Sequence, residues 1–199
     1  MDYYEIIAER FQGTIEHIAM SVDQIAGPLT RGSDLVCQSL LEDRKLLCCG
    51  AGAGAALGQL FVAGMLSRLD QERPPLPAIC LNADSAALCA ITGDSGPGHA
   101  YGRQIHALAQ EGDVLLVISS GGNNPSLEQA VAAARERNMR LVALSNDADS
   151  ALPELLGPGD VLIEVDGHSR SRIIELQVMC LNLLSQLIEY GIFGSYSQD

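Results

Sequence analysis

Two glycine-rich stretches bring together residue types able to hold a charged ligand. In GAGAGA, residues 50–55, glycine and alanine alternate directly after an apolar run and before a helical pattern. Gly50, Gly52 and Ala55 fit G-x-G-x-x-A, a turn that lets backbone N–H groups approach a phosphate. A dinucleotide site would also need an acidic residue roughly 20 positions on. The second apolar run closes later, with Asn82 and then Asp84, and no GK[ST] follows the glycines to make a P-loop. The second stretch, SSGGNNPS at 119–126, offers hydroxyls, amides and backbone N–H groups at the start of a helix. Such a set binds phosphate without lysine, because the helix N-terminus supplies the positive potential. The same residues also make a tight turn and a helix cap, so both uses fit them. The candidate phosphate-binding set is Gly50, Gly52, Gly54, Ser119, Ser120, Asn123 and Asn124.

Acid–base and metal chemistry are less well provided for. None of the histidines at 17, 99, 106 and 168 has a second histidine or a carboxylate three or four residues on. His17 and His106 fall in helical patterns, while His99 and His168 sit in the loop-like segments GPGHAYG and DGHSRS, where they can approach a site. No catalytic residue, metal ligand set or cofactor is therefore assigned. The six cysteines include no CxxC, and Cys48, Cys49 and Cys80 lie in apolar runs, as buried reduced thiols do.

The elements that must position these loops are legible as five short apolar runs: 45–50, 78–82, 113–120, 140–146 and 160–165. Their continuous apolarity, alternating with longer helical patterns, predicts parallel strands covered on both faces. The expected fold is an α/β, three-layer αβα sandwich with a five-stranded parallel sheet plus N-terminal helices. One domain spans 1–199, divided into an N-terminal helical segment (1–43), an α/β core (44–190) and a tail (191–199). Ligands in such sheets bind outside the carboxyl ends of the strands, which is where both loops fall. Asn123, Asn124 or Ser126 is expected to cap the helix that follows the second loop. Phe11, Ile15, Ile18, Val22 and Ile25 form a narrow helical seam, suited to packing on the parent domain or on another subunit. The last helical pattern, 171–190, is apolar around most of its circumference, which points to a homo-oligomer with this helix near its centre.

The chain carries a formal charge of −13, so the phosphate attraction that drives nucleic-acid and anionic-membrane binding is missing. The N-terminus lacks a basic and apolar leader, and no uncharged run approaches the roughly 20 residues of a bilayer span. A cytoplasmic protein with no direct nucleic-acid or membrane partner is expected.

At these two loops, and nearly end to end, the sequence resembles the SIS (sugar isomerase domain) family. The resemblance is to the branch shared by phosphoheptose isomerases and the DnaA initiator-associating proteins, and its carriers include ERPPLPAI, GDVLLVIS and LLGPGDV. It implies a flavodoxin-like SIS sheet, a homotetramer and a phosphosugar site at a subunit boundary. The isomerase's catalytic set does not carry over. Leu60 and Gly64 stand where it has a metal-binding histidine and a catalytic glutamate, and Ile174 and Asn182 replace a glutamine ligand and a second histidine. Glu175 matches a family glutamate and is expected to partner Arg172 or a loop amide. Where the family places hydroxyls, this chain has Gly54, Gly121 and Asn124. The resemblance is therefore closer to the initiator-associating proteins. It implies a non-catalytic scaffold binding several DnaA-like replication initiators, with Ile192 and Phe193, just beyond the last helix, as the partner-binding pair. The alternatives are a phosphosugar isomerase acting on sedoheptulose 7-phosphate, with His99 or His168 as a relocated base, and a phosphosugar-sensing regulator.

Overall fold

The five apolar runs become five parallel strands: β1 (Leu46–Gly50), β2 (Ala78–Cys80), β3 (Val114–Ile118), β4 (Arg140–Asn146) and β5 (Val161–Val165). They form one sheet in the order β2-β1-β3-β4-β5. The computed structural model describes residues 3–70, 72–149, 151–167 and 169–194. Every position of β1 and β3 is buried, which is why both runs lack polar alternation. Alternate residues feed two core layers: Leu46, Cys48, Leu116 and Ile118 enter one, and Leu47, Cys49, Leu115 and Val117 the other. The first layer is closed by α1 (Tyr3–Leu41), α2 (Ala53–Leu66) and α7 (Arg170–Phe193). The second is closed by α4 (Gly102–Leu108) and α5 (Pro125–Glu136). Short helices α3 (Ser85–Ser95) and α6 (Ala151–Glu154) complete the connections.

The N-terminal segment is one helix of 39 residues with Pro28 inside it, rather than several helices. A mid-helix proline costs about 3 kcal/mol. Packing on both sides of it offsets that loss: Ile25 and Leu29 are buried, and Gly32 lets the helix close on Val142 and Ile163. Only the C-terminal half is held this way. Of the seam, Ile25 is buried and Ile18 half-buried, whereas Phe11, Ile15 and Val22 are 69%, 65% and 51% exposed.

Helix α7 extends to Phe193, so Ile192 and Phe193 occupy its last turn instead of a tail beyond it. Both are half-buried and pack against the first core layer. Gly191 resembles a helix stop, yet a Cβ there would lie 2.6 Å from Cys37 Sγ, so glycine serves close packing on α1. The stop is Gly194, with φ of 82°. By length and composition α7 is apolar enough to cross a bilayer, but 44% of its most apolar stretch is buried in the fold. Leu176, Cys180, Leu184 and Ile188, each at most 1% exposed, show what that apolarity serves.

All six cysteines are free, and only Cys89 is exposed. Burial pushes the Cys37 thiol up to about 11 and the Cys180 thiol up to about 12, and raises Cys48, Cys49 and Cys80 as well. Two outcomes are expected. Native-state alkylation at pH 8, read by mass spectrometry, labels Cys89 first and the buried thiols only on unfolding. Since the folded state holds these protons more tightly than the unfolded one, their contribution to stability is complete below the usual value of 9.0. It is lost as pH climbs toward 11 to 12, so the urea midpoint should fall across that window.

Candidate functional site

The strand order reverses between β1 and β3, and both candidate loops leave the sheet at that switch point. Gly50 lies in register with Ile118, and Ala51 N–H donates to the Ile118 carbonyl at 3.3 Å. Asn82, from the end of β2, fixes the first loop: its Oδ1 accepts from Gly50 N at 3.0 Å and its Nδ2 donates to Gly50 O at 3.1 Å. The Tyr101 hydroxyl donates to the same carbonyl at 2.8 Å. Asp84, the acid nearest a ribose-binding position, is used otherwise, as the N-cap of α3 through its bond from Ala87 N.

The glycines of the first turn have separate tasks. A Cβ at Gly50 would meet the Gly54 carbonyl oxygen at 2.3 Å, and one at Gly54 would meet the Ile118 carbonyl oxygen at 2.6 Å. Both are therefore close-approach positions, and at Gly54 the missing family hydroxyl leaves no unfilled space behind it. Gly52, with φ of 57°, is the exposed N-cap of α2, and among the described residues no side chain caps that helix. Its α-carbon lies beside the Arg170 guanidinium, whose Nη2 would be 3.4 Å from an added Cβ.

In the second loop, Ser119 is buried and committed: its hydroxyl donates to Asp149 and accepts from Gly121 N at 3.2 Å. Asp149 is itself 4% exposed and also accepts from Ser145 Oγ at 2.9 Å and from the N–H groups of Ala151 and Leu152. Asn124 is the cap of α5, accepting from Ser126 N and Leu127 N. Asn123 is exposed. Three buried side-chain atoms lack a hydrogen-bond partner among the described residues: Ser120 Oγ, Asn146 Nδ2 and Gln177 Oε1. Asn146 lies against Gly121, and Gln177 donates to the Ser119 carbonyl at 2.6 Å, so all three border this loop. An unsatisfied buried polar atom costs about 1–3 kcal/mol, which a water or a polar ligand removes.

Of the candidate set, Ser119 and Asn124 are thus occupied by the fold and Gly50 and Gly54 by packing, whereas Gly52 and Asn123 are exposed and the buried Ser120 hydroxyl has no partner among the described residues. The sequence reading missed Asp149, Asn146, Gln177 and Arg170. Only Arg170 had a visible signal, in the DGHSRS turn already noted for His168, a residue that lies outside those described.

The isomerase positions meet elsewhere. Leu60, Gly64 and Asn182 line one cleft of about 290 Å³ between α2 and α7, with Phe61 and Leu181 as apolar walls. Ile174 is half-buried on α7, and Glu175 is engaged by Arg172 at 2.6 Å and by Thr14 at 3.4 Å. Among the described residues no three His, Cys, Asp or Glu side chains converge as a metal site would require. His17 donates to the Asp166 carbonyl at 2.5 Å, His106 lies 3.6 Å from Glu136, and His99 is exposed in the short turn before α4.

Residues 10–146 match the SIS domain family model. The chain belongs to the SIS domain family. Within it, the chain is 41% identical over 183 residues to the DnaA initiator-associating protein DiaA of Pectobacterium carotovorum subsp. carotovorum (strain PC1), covering 92% of this chain and 93% of that protein. It is 40% identical over 189 residues to the DiaA of Escherichia coli O1:K1, covering 95% and 96%. Phosphoheptose isomerase GmhA from Neisseria gonorrhoeae superposes with a TM-score of 0.87 at 32% identity, covering 94% of this chain and 99% of that one. The SIS sheet is thus shared with isomerases, while the sequence kinship runs to DiaA.

Proposed function

We propose that this chain is a non-catalytic SIS scaffold of the DiaA kind: a cytoplasmic homotetramer that holds several molecules of a DnaA-like replication initiator. The observation that carries this reading is the match to proteins named for association with DnaA over more than nine-tenths of the chain. An apolar cleft at Leu60, Gly64 and Asn182, where the isomerase keeps its metal and acid–base groups, supports it. Moving a proton between neighbouring carbons of a sugar needs a positioned base, and none of these residues is one. Multivalency supplies the mechanism, since tethered initiators see one another at a raised effective concentration without any new contact between them. The exposed Phe11, Ile15 and Val22 of α1 suit burial against a second copy. The partner-binding pair is Ile192 and Phe193, which α7 presents on its final turn. A charge of −13 fits a protein that meets the initiator and not its DNA.

One experiment tests the reading. Purified DnaA is passed over the immobilised tetramer and over its Ile192→Ala/Phe193→Ala variant, beside a zinc-supplemented assay for sedoheptulose 7-phosphate turnover. The expected result is capture by the parent, at least tenfold weaker capture by the variant, and no turnover. Unchanged capture by the variant would displace the pair, and turnover would restore the isomerase reading.

A second reading, a retained weak site for a sugar phosphate, is favoured by the unpartnered Ser120 Oγ and Asn146 Nδ2 and by Arg170 beside the α2 N-terminus. Each hydroxyl lost at Gly54, Gly121 and Asn124 removes about 0.5–1.5 kcal/mol of binding, so affinity should be low. A calorimetric titration with sedoheptulose 7-phosphate on the same samples checks it.

A further inference from the structure

The geometry points to Arg73, of the ERPPLP segment, as a positioning residue for the partner surface at the end of α7. This rests on the reading above that Ile192 and Phe193 meet the initiator. Arg73 is 8% exposed and Glu189 3%, and they pair through Nε and Oε1 at 2.7 Å. The remaining donors of the guanidinium reach the carbonyls of Gly64 (2.7 Å), Met65 (2.9 Å), Pro74 (3.0 Å) and Ser67 (3.3 Å). One side chain thus closes the C-terminal end of α2, where helix carbonyls lack partners, and grips α7 at the same time. Arginine's planar fork makes this set of bonds, whereas an ammonium would have to choose among them.

Position along α7 turns this clamp into a determinant of the partner surface. Ile192 and Phe193 follow Glu189 by three and four residues, so they share its face of the helix. On the α1 side the same turns are seated by Gly191 against Cys37, whose Sγ lies 3.6 Å from the Ile188 carbonyl. The final turn is therefore held between α1 and the α2 end, and the pair is displayed from a fixed platform. Pro74, Pro75 and Pro77 stiffen the segment that delivers Arg73, and the residue before a proline is confined to extended conformations. Preorganisation of this kind improves binding by lowering the ordering cost of the surface.

The test follows amide hydrogen exchange of the full-length assembled protein together with DnaA capture kinetics, for Arg73→Met and for Arg73→Met/Glu189→Leu. In the single variant, Glu189 is left buried without its partner, and amides 190–194 should exchange at least tenfold faster while those of 176–184 stay as in the parent. Capture should fall at least fivefold in parallel. The double variant removes both charges together and should bring both readouts most of the way back. Unchanged exchange at 190–194, acceleration spread evenly along α7, or intact capture despite local loosening would each overturn the assignment. Should Arg73→Met fail to fold, Glu189→Gln, which deletes only the charge, is read by the same criteria. Hydrogen exchange needs no initiator, and full capture by Ile192→Ala/Phe193→Ala would indict the surface and not the clamp.

Discussion

Gly50→Ala should lower stability by about 3 kcal/mol, one of the largest effects available to a single methyl group here. The added carbon would sit 2.3 Å from the Gly54 carbonyl oxygen and 2.9 Å from Ala55 N. Both contacts are backbone atoms of the first turn of α2, so no rotamer change relieves them. Either the helix start moves off β1 or the strand end moves off Asn82 and Tyr101, and each movement breaks hydrogen bonds made at 2.8–3.1 Å. For a chain of this length the loss corresponds to roughly 6–12 °C in Tm, measured at one fixed protein concentration. Gly93→Ala is the control. Among the described residues nothing lies within 4 Å of a Cβ there, and in the interior of α3 the change should raise stability by up to about 1 kcal/mol. A Gly50→Ala protein melting with the parent would mean that the turn relaxes freely. The same reasoning bears on Gly54→Ser. The hydroxyl cannot be regained simply, since its Cβ would lie 2.6 Å from the Ile118 carbonyl oxygen.

Asp149→Ala should cost about 3 kcal/mol or more and loosen the second loop selectively. The carboxylate receives the Ser119 and Ser145 hydroxyls and caps α6 through two backbone N–H groups. Alanine leaves two buried hydroxyls to find other acceptors and removes the cap, worth about 1 kcal/mol alone. Urea denaturation gives the global cost, and hydrogen exchange at 119–122 and 151–154 gives its location. Asp149→Asn keeps one acceptor and should lose about half as much. If the alanine variant lost stability without faster exchange at 119–122, Asp149 would be a cap for α6 and nothing more.

The sequence revealed most of the sheet because parallel strands buried on both faces announce themselves as unbroken apolar runs. The run at 140–146 coincides with β4 from end to end, and the others overhang their strands by one to three residues. Those overhangs are the loops: Asn82 and Ser119 extend apolar runs but belong to the ligand edge. Helix α3 escaped notice because none of its residues is buried and its contact with the core runs through half-buried Leu88, so no strong apolar stripe marks it. The single α1 was obscured by Pro28 and by glycines, whose cost is met by contacts with β4 and β5 that local sequence does not encode. At the other end, Gly191 carried a misleading signal, since a glycine chosen for contact with Cys37 looks the same as one chosen to end a helix. The candidate loops were legible as glycine, serine and asparagine, but not which of them are free. Asp149 and Gln177 reach Ser119 from 30 and 58 residues away, and such commitments become visible only in three dimensions.

Strand β2 has three residues and stands at the border of the sheet, and the segment leading into it contains Pro74, Pro75 and Pro77. A bare strand border invites another chain to add itself, and repetition of that event is how fibres begin. Prolines present no N–H to a newcomer, and three residues give too short a seam to hold one. On the scaffold function proposed above, in which copies of a partner are crowded together, this protection matters most. Local concentration can then rise without sheet-to-sheet growth following it.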